Sequence, residues 1–284
     1  MTPRLQVIEG GLADAGAVLP DRGPLDWTIG LEAADEVDAD AVAAWRALLT
    51  RSAVSEPHFT DPDYLLTAAR HQAAGQRLAF AWARHTARPE TLHGVVPLVL
   101  PRARWGRRQA APWQAPGLAG ASPHLIEARY AVEIRTSLRE RLAADRYDLA
   151  PFEASPTPPT RRPILQLVRG RAAAPARTIP AGNMIGIRGE RRAPGGTERV
   201  TEPRRIRDAV ETFLLLDAKA SRRPIVADPS EAAMVRVVTR LFARRRQASV
   251  EIERIRGEVV SGRLRLGADQ DAVVWRQATL EGLR

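Results

Sequence analysis

The chain has 284 residues, with 43 Lys and Arg against 33 Asp and Glu, a formal charge of +10. It contains no cysteine, which excludes a disulfide scaffold, a thiol nucleophile, an iron–sulfur cluster and Cys-ligated zinc. The five histidines form neither an HExxH motif nor an H-x3-H pair, so no metal site is expected.

At 44% hydrophobic and 27% charged the composition is globular, and the length suggests about two domains. No stretch approaches the roughly 18–20 apolar residues of a membrane span. The first twenty positions lack the apolar core of a signal peptide, so a cytoplasmic protein is expected.

Residues 1–37 read as a Gly-, Pro- and acid-rich N-terminal extension, with a short strand at Leu25 to Leu31. A helix follows Asp38 as N-cap, carrying Val42, Trp45, Leu48 and Leu49 on one stripe. A second helix starts at Thr60-Asp61-Pro62-Asp63. There Thr60 is the expected acceptor of the first-turn amides, Pro62 needs no N–H, and Phe59 and Tyr64 form a hydrophobic staple.

The period then changes to two. Leu78, Phe80 and Trp82 alternate with Ala79, Ala81 and Ala83 in a strand, and Leu92 to Leu100 forms the next. Pro97 and Pro101 imply a bulge or an edge near the end of the latter. Ala111 to Ala115 is a third extended piece, followed by a Gly-containing turn at Gly117, Gly120, Ala121 and Ser122. A helix from about Glu127 to Ala144 aligns Ile134, Leu138 and Leu142, and Tyr147 to Phe152 reads as another strand.

Ser155 to Pro163 is a proline-rich connector, and Arg169 to Gly196 an Arg-, Gly- and Pro-rich loop. From Thr201 the earlier order returns. Helices run from Pro203 to Ala220 and from the Asp228-Pro229-Ser230-Glu231 cap onward. Three meander strands follow, around Val250, around Leu264 and from Ala272 to Gln277.

Helix–helix–strand–strand–strand thus occurs at 39–115 and again at 203–277, an internal repeat of architecture rather than of residues. The expected fold class is α+β, two units each with a mostly antiparallel sheet and helices. The domains read as 38–154 and 201–284, joined by the segment 155–200.

Several stretches resemble the GNAT acyltransferase superfamily, in its FemAB-related, CelD-like branch. Trp45 to Leu49, followed by Pro57-His58-Phe59-Thr60-Asp61-Pro62-Asp63-Tyr64, is similar to a helix and then "PF-x-S-P-x-W". Leu92 to Leu98 is similar to a "G-x-x-P-L" strand, Val200 to Asp217 to an "FL-x-L-E" helix, and Ile252 to Gly262 to an "L-x-x-x-G-x-x-I-A" hairpin. After the third of these the chain has Ala218 to Pro224, shorter than the family pattern and without glycine.

The resemblance implies tandem GNAT-like domains, the second C-terminally shortened and incomplete. It implies acetyl-CoA or another acyl-CoA as co-substrate, without metal. The implied activity is N- or O-acyl transfer to a saccharide or amine acceptor in envelope or exopolysaccharide synthesis, with polysaccharide-synthesis proteins as possible partners. In this superfamily the acyl-CoA pyrophosphate rests on a Gly-rich turn at a helix N-terminus. Trp113, Gln114, Gly117, Gly120, Ala121 and Ser122 are therefore candidates for cofactor binding.

The best-placed imidazoles for proton transfer are His58 and His124, each of which also fits a structural role; Glu153 is a further carboxylate at a strand end. Lys219, Arg222 and Arg223 are candidates for an anionic acceptor, and equally fit a helix C-terminus through its dipole.

Two alternatives stay open: a catalytically silent GNAT-like scaffold subunit, and an Arg-rich polyanion- or nucleic-acid-binding protein. Lys219 is the single lysine among the basic residues, which fits a GC-rich coding bias as well as an anion surface. Only three Tyr and five Phe are present to stack bases, which argues against nucleic acid.

Overall fold

The computed structural model describes residues 26–54, 56–73, 75–101, 106, 108–113, 124–152 and 195–280. The chain is α+β and built as two units of like order. The first comprises β1 (Trp27–Ala33), α1 (Ala39–Arg51), α2 (Pro62–Gln72), β2 (Leu78–His85), β3 (Arg88–Val99), β4 (Arg108–Pro112), β5 (Leu125–Ile126), α3 (Ala131–Ala144) and β6 (Tyr147–Leu149). The second comprises β7 (Gly195–Val200), α4 (Pro203–Ala220), α5 (Pro229–Arg244), β8 (Ala248–Ile255), β9 (Glu258–Leu266) and β10 (Val273–Thr279). Among the described residues no helix is long and apolar enough to cross a membrane.

The sheets run β1-β2-β3-β4-β6, with β5 also on β3, and β10-β9-β8-β7. In each unit the strand before the helix pair lies antiparallel to the first strand after it. Both of these leading strands fall outside the expected domain boundaries: β1 sits in the presumed extension and β7 in the presumed linker. β7 escapes the sequence pattern because it is a sheet edge on which Val200 is buried while Gly196 and Thr197 are exposed.

Helix starts follow their caps. The carboxylate of Asp38 accepts from the Ala41 amide at 2.7 Å, and that of Asp228 from the Ser230 amide at 2.8 Å. At α2 the cap is Asp61, which accepts from the Asp63 amide at 2.9 Å. The Thr60 hydroxyl instead donates to the Pro57 carbonyl, which corrects the expected cap. The staple forms, with the Phe59 and Tyr64 rings 5.3 Å apart.

The alternation in β2 sorts two cores. Phe80 and Trp82 face α1 and α2, with Trp45 at 5.4 and 5.6 Å from their rings. Ala79, Ala81 and Ala83 face the other way, with Ile134, Leu138 and Leu142 of α3 in the same cluster. Three alanines in a row on that face let the helix lie close to the sheet.

The third strand of the first unit is Arg108–Pro112, not 111–115. β4 and β5 act as one interrupted strand along β3: Ala111 and Pro112 pair with Val99 and Leu98, and Leu125 and Ile126 pair with Val95 and Gly94. Between them Trp113 donates to the Pro97 carbonyl at 2.8 Å. In an antiparallel ladder a residue's N–H and C=O point the same way, so the N–H that Pro97 lacks would face this interruption. The sequence placed an irregularity at Pro97; it appears in the partner strand.

The units meet along α2 and α5. Leu65, Ala68 and Ala69 share one continuous core with Met234, Val238 and Phe242. Polar contacts rim that seam: Arg245 pairs with Asp61 at 2.8 Å and Asp63 at 3.1 Å, and the Ser230 hydroxyl donates to the His71 carbonyl at 2.6 Å.

Candidate functional site

β4 and β6 are parallel, with Arg108 opposite Tyr147 and Ala110 opposite Leu149. The Ala150 amide donates to the Ala110 carbonyl at 2.8 Å. Beyond that bond no β4–β6 pair follows among the described residues: Pro112, next in the alternation toward β6, has no N–H to donate. α3 connects the two strands and runs back along the sheet, so its amino end shares one mouth with the carboxyl ends of β4 and β6. Ligands in sheets with parallel strands bind at this end.

Three side chains gather there. The His124 ring meets the Phe152 ring edge-on at 5.1 Å, and the Arg135 guanidinium lies 5.0 Å from the centre of Phe152. Burial, aided by the Arg135 charge, pushes His124 from 6.5 down to about 4. Its imidazole is therefore neutral at neutral pH, with one ring nitrogen donating and the other accepting. Such a group holds a hydrogen bond well but is a weak base at that pH.

Four positions along from His124's neighbour Pro123 the chain reaches Glu127, whose amide donates to the His93 carbonyl at 3.0 Å and so extends the β3–β5 ladder. The Glu127 carboxylate is buried at the foot of α3. It accepts from Arg51 at 3.1 Å and from Arg129 at 2.9 and 3.0 Å, and His93 Nδ1 lies 3.3 Å away. Arg51 also donates to the Leu92 carbonyl at 2.7 Å. Burial pushes the carboxyl up, but contacts from Arg129, Arg51 and His93 outweigh it and hold Glu127 below the ordinary carboxylate range. Trp27 and Tyr130 wall the His93 ring at 5.4 and 5.3 Å.

α3 has no side-chain N-cap, so this internal anion lies beside an amino end that favours negative charge. The carboxylate is locked by cations and poorly suited to take a proton at neutral pH. Sequence reasoning passed over this cluster because its members, at 51, 93, 127 and 129, share no spacing. The available signal was an acidic residue just ahead of a helix.

The residues singled out from the sequence are dispersed. His124 is at the mouth. His58 is not: it is buried at the seam, with Nε2 3.2 Å from the Asp271 carbonyl and its ring 6.4 Å from Phe242. Trp113 is 3% exposed and belongs to the hydrophobic core. Gln114, Gly117, Gly120, Ala121, Ser122 and Glu153 lie outside the described residues. Lys219, Arg222 and Arg223 are exposed around the carboxyl end of α4 in the second unit, where the Arg223 amide donates to the Ser221 hydroxyl. Among the described residues no group of three or more His, Asp or Glu side chains is arranged to hold a metal ion.

No family model matches the chain, and no curated protein matches it in sequence. Among solved structures it is similar to a tandem GNAT protein from the clavulanic acid biosynthesis pathway (without AcCoA), with 13% identity and a TM-score of 0.37. That likeness covers 91% of this chain and 81% of the other.

Proposed function

We propose that the protein is an acyl-CoA-dependent acyltransferase of the GNAT type, with the thioester at the mouth between β4 and β6. One observation carries the reading. A strand, two helices and three antiparallel strands occur in this order twice, and in the first unit a helix connects a parallel strand pair, its amino end at their carboxyl ends. The repeated order of helices and strands is the one expected from the sequence, and the uncapped amino end of α3 favours an anion.

In this reading the acceptor's nitrogen or oxygen attacks the thioester carbonyl, the C–S bond breaks, and CoA leaves as the thiol with the acceptor's proton. His124, neutral and partly buried, donates a hydrogen bond to the developing oxyanion. Water, rather than Glu127, relays the acceptor's proton to the departing sulfur. A saccharide or amine acceptor in envelope or exopolysaccharide synthesis follows from the resemblance to the CelD-like branch.

A second reading, a catalytically silent subunit of the same fold, is favoured by one observation. His124 is pushed to about 4 and Glu127 below its ordinary range, so neither is matched to proton transfer near neutrality.

Thermal shift with acetyl-CoA and with CoA separates the readings, since a ligand that binds only the folded chain raises its melting temperature. A rise with both, and release of CoA thiol when amines or amino sugars are added, supports the transferase. A rise without thiol release supports the silent subunit. No rise with either, together with salt-sensitive oligonucleotide binding, supports the polyanion reading instead.

A further inference from the structure

The helix pair of the second unit carries a groove that the proposed reaction does not use. It lies between α4 and α5, with a volume of about 620 Å3, within the range of small-molecule sites. Its floor is apolar: Ile206 and Val210 from α4, Ala233 and Val237 from α5. Arginines line its banks, Arg204 and Arg207 on α4 and Arg236 and Arg240 on α5.

The charges are not spread evenly along it. Arg236 is pinned to Glu211 by two bonds of 2.6 and 2.9 Å, which neutralises one stretch of the groove. This pair also fixes the antiparallel alignment of the helices. One turn further along α5, Arg240 therefore comes opposite the amino-terminal turns of α4, which carry Arg204 and Arg207. α4 begins at Pro203 without a side-chain cap, so its positive end adds to the same region. The groove thus has a cationic end and a mostly apolar body.

We propose that this groove binds an amphiphilic anion: a carboxylate or phosphate head at the Arg204–Arg207–Arg240 end, with an aliphatic tail along Val210, Ala233 and Val237. Guanidinium groups hold carboxylate and phosphate alike by paired N–H donors. The floor from Ile206 to Val210 is short, so a tail of medium length fits.

Titration calorimetry on the full chain tests this with decanoate, decyl phosphate and decanol, each below its micellar concentration. Saturable binding of one equivalent of decanoate or of decyl phosphate, with decanol much weaker, is the expected result, and the tighter of the two anions names the head group. Arg207→Gln with Arg240→Gln should weaken the anion at least about tenfold, and Ala233→Trp, which fills the floor, should abolish binding. Circular dichroism and melting temperature confirm that each variant is folded. Failure of both anions to bind, equal binding of decanol, or binding unchanged in the folded variants would overturn the assignment.

Discussion

His93 and Glu127 are joined twice: the Glu127 amide donates to the His93 carbonyl at 3.0 Å, and His93 Nδ1 lies 3.3 Å from the Glu127 carboxylate. The backbone bond ends a ladder, and the side-chain contact ties the foot of α3 to β3. Glu127→Gln keeps the shape but gives up the charge shared with Arg51 and Arg129. We expect it to cost about 2 kcal/mol, read as a lowered midpoint in urea with an unchanged slope. Because the folded carboxyl sits below its ordinary value of 4.5, this stabilisation is present above that pH and lost as pH falls through the folded pKa. The variant and the parent should therefore converge in acid.

His124 has the opposite charge type and the same direction with pH. Its folded pKa of about 4 lies below the ordinary 6.5, so between those values the unfolded chain binds more protons. Stability is full above pH 6.5 and declines toward pH 4, by on the order of 3 kcal/mol. His124→Gln should flatten that part of the pH–stability curve relative to the parent. The His124 ring proton should titrate near pH 4 by NMR; a midpoint near 6.5 would remove both expectations.

Arg245 and Asp61 couple the two units. Asp61→Ala loses this pair and the α2 cap, the cap alone being about 1 kcal/mol, whereas Arg245→Ala loses this pair and the contact with Asp63. A double-mutant cycle should return a coupling of roughly 1–3 kcal/mol, since removal of either partner leaves the other polar group underused at a half-buried seam.

Gly267 has a φ of +113°, and a Cβ built there falls 2.6 Å from His58 Nε2 and 2.8 Å from the Ala272 Cα. Gly267→Ala should destabilise the chain by at least about 2 kcal/mol. His58→Ala in the same chain should restore only part of the loss, because the backbone contact and the strained φ remain.

The helices were legible wherever a cap and an apolar stripe agreed. Asp38, Asp228-Pro229 and Pro203 each mark a start, and Ile206, Val210, Phe213 and Leu214 are buried as their spacing implies. β7 was not legible because an exposed edge strand needs no alternation. The shift of β4 to 108–112 follows from pairing with β3 and β6, which no local pattern records. The mouth was only half legible. His124 stood out as an imidazole after a turn, but its partner Phe152 arrives from the far end of the crossover. The Glu127 cluster is assembled by the ladder and by α1, and the partner of His58, the Asp271 carbonyl, lies 213 positions along the chain, where no local pattern records it.

The second helix of one unit lies against the second helix of the other. Corresponding surfaces meeting in this way are the mark of a symmetric dimer. The chain can accordingly be viewed as two protomers written in tandem, whose subunit boundary has become internal and whose partner is always supplied in equal amount. A protein of this kind should stay assembled as one particle on a sizing column after a cut between residues 153 and 194, and come apart only when the fold itself is lost.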